Sequence, residues 1–125
     1  MKYTTDQKMT SKEIRKFLAN EYGVKVSHIE SSYNAFMKWV DGYIYKGKAR
    51  YEFIYYKTEG VIQVYSKTYA VRYLRETPFG YGGGWTTMPV QADSEAEALE
   101  IAEASCRKEW GNLSPCSRFS VVDWK

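Results

Sequence analysis

Histidine and cysteine are scarce in this chain of 125 residues, and each scarcity excludes a kind of site. His28 is the only histidine, and the two cysteines, Cys106 and Cys116, are separated by nine residues. A structural zinc ion takes about four Cys or His ligands in closely spaced pairs, which this chain cannot supply. We expect no metal, no cofactor and, because no export signal is present, two reduced thiols.

Long apolar runs are lacking as well. No segment approaches the roughly 20 apolar residues that a membrane-spanning helix needs, and Met1–Asp6 has none of the apolar core of a secretion signal. These absences predict a cytoplasmic protein with no membrane partner. The length and even composition predict a single domain over residues 1–125, with residues 1–9 loosely ordered.

Aromatic residues, by contrast, make up 17% of the chain, and its charges are unevenly distributed. The net charge is +3, yet residues 1–75 hold 14 Lys and Arg against 7 Asp and Glu, while residues 76–125 hold 4 against 8. Such an asymmetry can steer an anionic partner towards one face of a protein. Solvated surface lysines are the alternative explanation.

Two helices are predicted, one near each end of the chain. Thr10 and Glu13 form the pattern of a capping box ahead of apolar residues at helical spacing, and Gly23 can end that helix. Ser94 and Glu97 form a second capping box. The apolar face of the second helix consists of mostly small residues that suit close packing on a sheet: Ala98, Leu99, Ala102 and Cys106.

The sequence between the helices predicts antiparallel strands, because it is rich in Tyr, Val and Ile and has turn signals at short intervals. The predicted strands are 24–29, 35–40, 43–45, 49–56, 61–66, 69–75 and 85–92, with a last one at 119–124. We therefore predict an α+β fold in which a tyrosine-rich antiparallel sheet of about five to seven strands is combined with two helices. The predicted order is α-βββββ-α-β.

The tyrosines of these strands mostly recur at every second residue, which places many of them on shared sheet faces. Two helices are too few to cover both faces of such a sheet, so one face is expected to be exposed or buried in an oligomer. Exposed rings between lysines and arginines would stack on bases while the cations contact phosphates. The alternative is that the rings point inward, with their hydroxyls at the rim.

Segment 77–85 is the most unusual part of the chain, because it holds four glycines and three aromatic residues. Glycine lets the backbone approach a ligand closely and expose N–H groups that cradle an anion. No Gly-Lys-Ser/Thr follows, so the segment is not the phosphate loop of an NTPase. We predict an aromatic recognition loop, with a flexible hairpin tip as the alternative. The predicted ligand-binding residues are Arg50, Arg72, Arg75, Phe79, Tyr81 and Trp85.

No residue pattern marks a catalytic site. His28 has no nucleophile near it in the sequence, and the acidic run over 95–103 suits a solvated helix face. In its make-up (a short chain, an aromatic-rich antiparallel sheet, two helices and a glycine-rich loop) the sequence resembles small accessory proteins of phages and plasmids. That group includes inhibitors of bacterial defence systems, such as anti-CRISPR proteins and sponges for cyclic-nucleotide signals.

These features together predict a non-enzymatic binding protein that engages an anionic partner. The partner would be nucleic acid or an acidic surface of another protein, and the resemblance implies an inhibitor that occupies the nucleic-acid site of a bacterial defence protein. Three alternatives remain at this point. They are a nucleotide-binding sponge with its ligand at a dimer interface, a structural homo-oligomer, and a small enzyme of unknown type.

Overall fold

A computed structural model describes residues 1–5, 8–75, 84–110 and 116–124. The helices and strands, numbered in chain order, are β1 (Lys2–Thr4), α1 (Ser11–Tyr22), β2 (Ile29–Asn34), β3 (Trp39–Lys46), β4 (Ala49–Tyr56), β5 (Val61–Val64), β6 (Thr68–Arg75), β7 (Gly84–Gln91), α2 (Glu95–Trp110) and β8 (Cys116–Val122). Two helices and eight antiparallel strands confirm the predicted α+β class and its approximate order. No helix of the described residues is long and apolar enough to cross a membrane.

The chain divides into two compact units, Met1–Lys67 and Thr68–Lys125, each with one helix of its own. We call them unit 1 and unit 2. The sequence shows no break in composition at residue 67, and its prediction of a single domain stays a prediction.

Unit 1 forms because α1 has one apolar face and a well-satisfied first turn. The Thr10 hydroxyl accepts the Glu13 N–H at 3.3 Å, and the Glu13 carboxylate accepts the Thr10 N–H at 3.1 Å, which confirms the capping box. Gly23 ends the helix in the left-handed conformation with φ of 64°. The buried face of α1 carries Ile14 and Leu18, both 0% exposed. That face supplies the helix side of the unit 1 core.

The strands of unit 1 are antiparallel in the order β1-β5-β4-β3-β2. Alternate residues of each strand point towards α1, and the buried ones form a single cluster with the helix. They are Ile29, Val40, Ile44, Phe53, Tyr55, Ile62 and Val64. The other face of the sheet carries Trp39, Tyr43 and Tyr45, which are partly exposed.

Four details of unit 1 differ from the sequence predictions. Residues 24–29, predicted to form a strand, contain the 3₁₀ helix Val26–His28 instead, and β2 begins at Ile29. Residues 2–4, inside the segment 1–9 that is predicted to be loosely ordered, form β1, which pairs Tyr3 with Ile62; a three-residue strand is too short to show an alternating pattern. Residues 35–38, predicted to begin a strand, form the turn between β2 and β3. The pair Asp41-Gly42, which suits a turn or a bulge in the sequence, lies inside an unbroken β3. A glycine occupies residue 42 because a Cβ there would collide with the carbonyl group of Glu30 in β2.

Unit 2 combines α2 with three antiparallel strands, in which β6 lies between β7 and β8. The Ser94 hydroxyl accepts the Glu97 N–H at 3.2 Å and so satisfies the first turn of α2, as predicted. Ala98, Ala102 and Cys106 are buried, and the helix contacts all three strands. Small side chains let α2 approach the sheet closely, so one face of the three strands is covered.

We expect Gly42→Ala to destabilise unit 1 by about 3 kcal/mol, at the upper end of the cost of overpacking. A Cβ at residue 42 would collide with the carbonyl group of Glu30, so β2 or β3 would have to shift. Urea unfolding followed by circular dichroism measures the change. Gly23→Ala is the control, because its Cβ would meet open space and only the left-handed conformation costs about 1 kcal/mol. Equal losses in the two variants would contradict this role of Gly42.

Candidate binding surface

Arg72 and Trp85 lie against each other on the face of unit 2 that α2 does not cover. The Arg72 guanidinium carbon is 4.3 Å from the centroid of the Trp85 ring, and the indole is 50% exposed. The register of β6 and β7 explains the contact. Arg72 is opposite Thr87, so Trp85 is its diagonal neighbour on the same sheet face. A stacked cation and indole of this kind gain about 0.5–1 kcal/mol when exposed.

A residue with a hydroxyl group lies on each side of Arg72. Thr87 is directly opposite Arg72 on β7, and Ser120 is directly opposite it on β8. All three residues are exposed, and directly opposed residues of antiparallel strands point to the same face. We call Arg72, Trp85, Thr87 and Ser120 the arginine–tryptophan surface. It offers one guanidinium, one half-exposed aromatic ring and two hydroxyls within three adjacent strands.

Arg75 points to the other face of β6. It is three residues from Arg72, and side chains alternate along a strand, so the two arginines leave the sheet in opposite directions. Its positive charge is felt by Cys116, its register partner on β8. The structure therefore separates Arg75 from the arginine–tryptophan surface, although both arginines are among the predicted ligand-binding residues.

Two thiols and a phenol share that helix-covered side with Arg75. Burial is the main cause that raises the pKa of the Cys116 thiol to about 11; the charge and hydrogen bond of Cys106 also raise it, and Arg75 lowers it. Burial also raises the pKa of Tyr73, with Cys106 as the next cause. The Tyr73 ring stacks on Phe119 with centroids 5.4 Å apart. The Cys116 thiol and the Tyr73 phenol therefore stay protonated near neutral pH and belong to the packing of unit 2.

Arg50 lies in unit 1, where its guanidinium carbon is 4.2 Å from the Tyr43 ring centroid. Its surroundings differ from those of Arg72 because three carboxylates lie next to Tyr43. Glu30, Asp41 and Glu52 line a shallow hollow of about 350 Å³ beside that ring. Carboxylates repel an anionic ligand, so this outer face of unit 1 suits an anion less well than the arginine–tryptophan surface.

The other predicted site residues, Phe79 and Tyr81, lie outside the described residues, as does most of segment 77–85. Of the six predicted residues, the structure brings Arg72 and Trp85 together. Sequence reasoning missed Thr87 and Ser120, because only the strand register shows that both adjoin Arg72. Two sequence signals could have suggested them: the Thr-Thr pair at 86–87 and the Ser-x-x-Ser pattern at 117–120. Both are common in exposed strands.

Within the described residues, no three His, Cys, Asp or Glu side chains come close enough to hold a metal ion. No protein-family model, curated protein or solved structure matches the chain. The surface chemistry of the two units is therefore the basis on which a function can be assigned.

We expect alkylation of Cys116 to be slow at about pH 8, because a thiol with a pKa near 9 would hold about 100 times more of the reactive thiolate there than one with a pKa near 11. Iodoacetamide labelling followed by mass spectrometry gives the rate against pH. The folded state holds the Cys116 proton up to a higher pH than the unfolded chain does. The free energy of unfolding should therefore fall as pH rises from about 9 through 11. If folded and urea-unfolded protein were labelled at Cys116 equally fast at about pH 8, the result would contradict the raised pKa.

Proposed function

We propose that this protein is a non-catalytic binding protein and that its arginine–tryptophan surface engages single-stranded nucleic acid. The observation that carries the proposal is the exposed Arg72 guanidinium, whose carbon lies 4.3 Å from the ring centroid of the half-exposed Trp85. A hydroxyl residue lies opposite Arg72 on each neighbouring strand. Proteins that bind single strands combine stacking platforms of this kind with cations that contact the backbone.

Each group has a role in the proposed contact. Arg72 covers part of the Trp85 ring, so a base can stack on the outer side of the planar guanidinium, as bases do on arginine in RNA-binding proteins. The edge of the same guanidinium carries N–H donors that suit a phosphate. Thr87 and Ser120 offer hydroxyls to the sugar or phosphate of that nucleotide. One base and one or two phosphates are therefore the expected contacts.

Charge separates this face of unit 2 from its helix-covered side. Residues 68–125 hold six Lys and Arg against eight Asp and Glu, so the sequence of unit 2 has a net charge of −2. Four of those acidic residues, Glu95, Glu97, Glu100 and Glu103, are on α2, which packs against the opposite face of the strands. Attraction of a nucleic acid to unit 2 must therefore come from the local arginine rather than from the charge of the whole unit.

Weak salt dependence follows from this arrangement. If about two phosphates are contacted, the slope of log K against log salt concentration should be about −1.4 for a single strand. A slope several times steeper would point to a long basic groove instead. Fluorescence anisotropy of a labelled thymidine oligonucleotide of about ten nucleotides measures it.

Trp85→Ala should weaken binding to that oligonucleotide about tenfold to a hundredfold, because the Arg72 guanidinium loses the ring that orients it under the stacked base, and one stacked base contributes about 1–3 kcal/mol. Arg72→Lys should also weaken it, because a lysine keeps the charge but loses the planar stack. Thermal unfolding should change little, as expected for an exposed position. Arg50→Ala is the matched control, an arginine that also stacks on a ring but lies among carboxylates.

The outcomes distinguish the rival functions. Binding that Trp85→Ala and Arg72→Lys leave unchanged, or that Arg50→Ala abolishes, contradicts the proposed surface. A mononucleotide that competes as strongly as the oligonucleotide would indicate the nucleotide sponge instead. Absence of any binding to oligonucleotides would leave an acidic protein surface as the anionic partner. Inhibition of a bacterial defence system, which the resemblance in make-up implies, stays a prediction in every case.

A further inference from the structure

The turn between β2 and β3 presents apolar side chains to solvent. Phe36 is 91% exposed and Met37 is 46% exposed, and Tyr33 beside them is 54% exposed. We call these three residues the hairpin tip. Phe36 is the most exposed large apolar residue of the described chain. Exposed apolar groups that lie together, rather than singly, mark contact sites.

Hydrogen bonds hold the hairpin tip in one conformation. The Asn34 side chain accepts the Met37 N–H at 3.0 Å, and the Asn34 carbonyl accepts the Lys38 N–H at 2.7 Å. Lys38 closes the turn with φ of 58°. A loop that is ordered before binding loses less entropy on binding, which favours its use as an anchor.

At the opposite end of unit 1 lies a hollow of about 560 Å³ walled largely by tyrosines. The strand register fixes this placement, because Tyr51 is near the start of β4 and Gln63 is near the end of β5, whereas the hairpin tip adjoins the end of β4. Glu21 is the only charged side chain of its lining, and the Met1 ammonium, which donates to the Val64 carbonyl at 2.8 Å, also belongs to it. The lining includes Tyr3, Glu21, Tyr22, Tyr51, Gln63 and Tyr65, and we call the hollow the tyrosine hollow.

The two features match in size, polarity and charge. A cavity of roughly 150 Å³ already holds a benzene ring, so the tyrosine hollow has room for a phenyl ring and a thioether. Both groups pack favourably on aromatic rings. The hairpin tip is flanked by Lys38 and by Lys57, whose Nζ is 5.2 Å from the Tyr33 ring centroid, and these cations complement Glu21.

We propose that the tyrosine hollow of one copy of this protein receives the hairpin tip of a second copy. Because the two surfaces differ and lie at opposite ends of unit 1, the contact is head-to-tail and can extend to short chains or close into a ring. It is small compared with the roughly 1,200 Å² of a stable interface. Association is therefore weak and builds up with concentration. This inference does not depend on the nucleic-acid proposal, whose surface lies in unit 2.

A membrane surface is the less favourable occupant of the hairpin tip. Even a single myristoyl chain, which buries more apolar carbon atoms than one Phe and one Met, binds bilayers only marginally. A pocket in a protein, in contrast, can make one aromatic anchor contribute more than about 2 kcal/mol. A protein surface is therefore the more favourable occupant, and this chain itself provides the tyrosine hollow.

Sedimentation velocity on the full chain, from about 10 μM to about 500 μM, tests the proposal over the range expected for a small interface. The average mass of the wild type should rise with concentration. Phe36→Ser and Glu21→Arg should each raise the dissociation constant at least about tenfold, because they remove the anchor and reverse the charge at the hollow. Val26→Ser is the matched control, since Val26 is also apolar and 42% exposed.

Mixing the two defective variants gives the sharpest readout. Phe36→Ser keeps an intact tyrosine hollow and Glu21→Arg keeps an intact hairpin tip, so their mixture should form a one-to-one complex that neither forms alone. Three results would overturn the proposal. They are a strictly monomeric wild type over the whole range, an association that Phe36→Ser leaves unchanged, and a mixture that behaves as the sum of its separate components.

Discussion

One helix per unit is the constraint from which the rest of this structure follows. A strand has two faces, and a single helix covers only one of them. In unit 1 the buried residues of α1 and of the strands form one cluster on the helix side. In unit 2 the small residues Ala98 and Ala102 bring α2 close to its three strands. Each unit therefore has a sheet face that its own helix does not cover.

The two outer faces differ in chemistry although both combine arginine with an aromatic ring. On unit 1 the Arg50–Tyr43 pair lies next to Glu30 and Glu52, and the hydroxyl of Tyr45 donates to Glu30 at 3.1 Å. On unit 2 the neighbours of Arg72 are hydroxyl residues, and the acidic residues are on the helix instead. The same local motif is thus internally compensated in one unit and open to an anion in the other.

Much of the fold was predictable because local signals agree with it. The structure confirms the capping box of α1, the Ser94 cap of α2, Gly23 at the end of α1 and the small-residue face of α2. Each of these is a property of a few neighbouring residues. The turn at 35–38 was not predictable from composition. It contains no glycine or proline, and it is formed by the Asn34 side chain and by Lys38 with a positive φ.

The candidate surface was predictable only in part, because local signals mark its residues but not the contact between them. Arg72 and Trp85 stand out in the sequence as a cation and a ring near a glycine-rich segment, but their contact depends on register, which pairs Arg72 with Thr87. A shift of one residue in the pairing of β6 with β7 would turn Trp85 to the helix-covered face. Long-range pairing of this kind leaves no signal in residues that are adjacent along the chain. The division of Arg72 and Arg75 between opposite faces follows from alternation once β6 is known to be a regular strand.

The residues of the hairpin tip are not explained by the turn that presents them. The turn requires a side-chain acceptor at Asn34 and a residue at 38 that adopts a positive φ, and it makes no demand on the side chains of Phe36 and Met37. Polar residues would serve there equally well and would remove an apolar patch from the surface. Trp85 is similar, since a threonine or valine would fit an exposed strand position at least as well. In both places the structure uses a large apolar side chain where folding does not need one, and the two proposed contacts would account for both side chains.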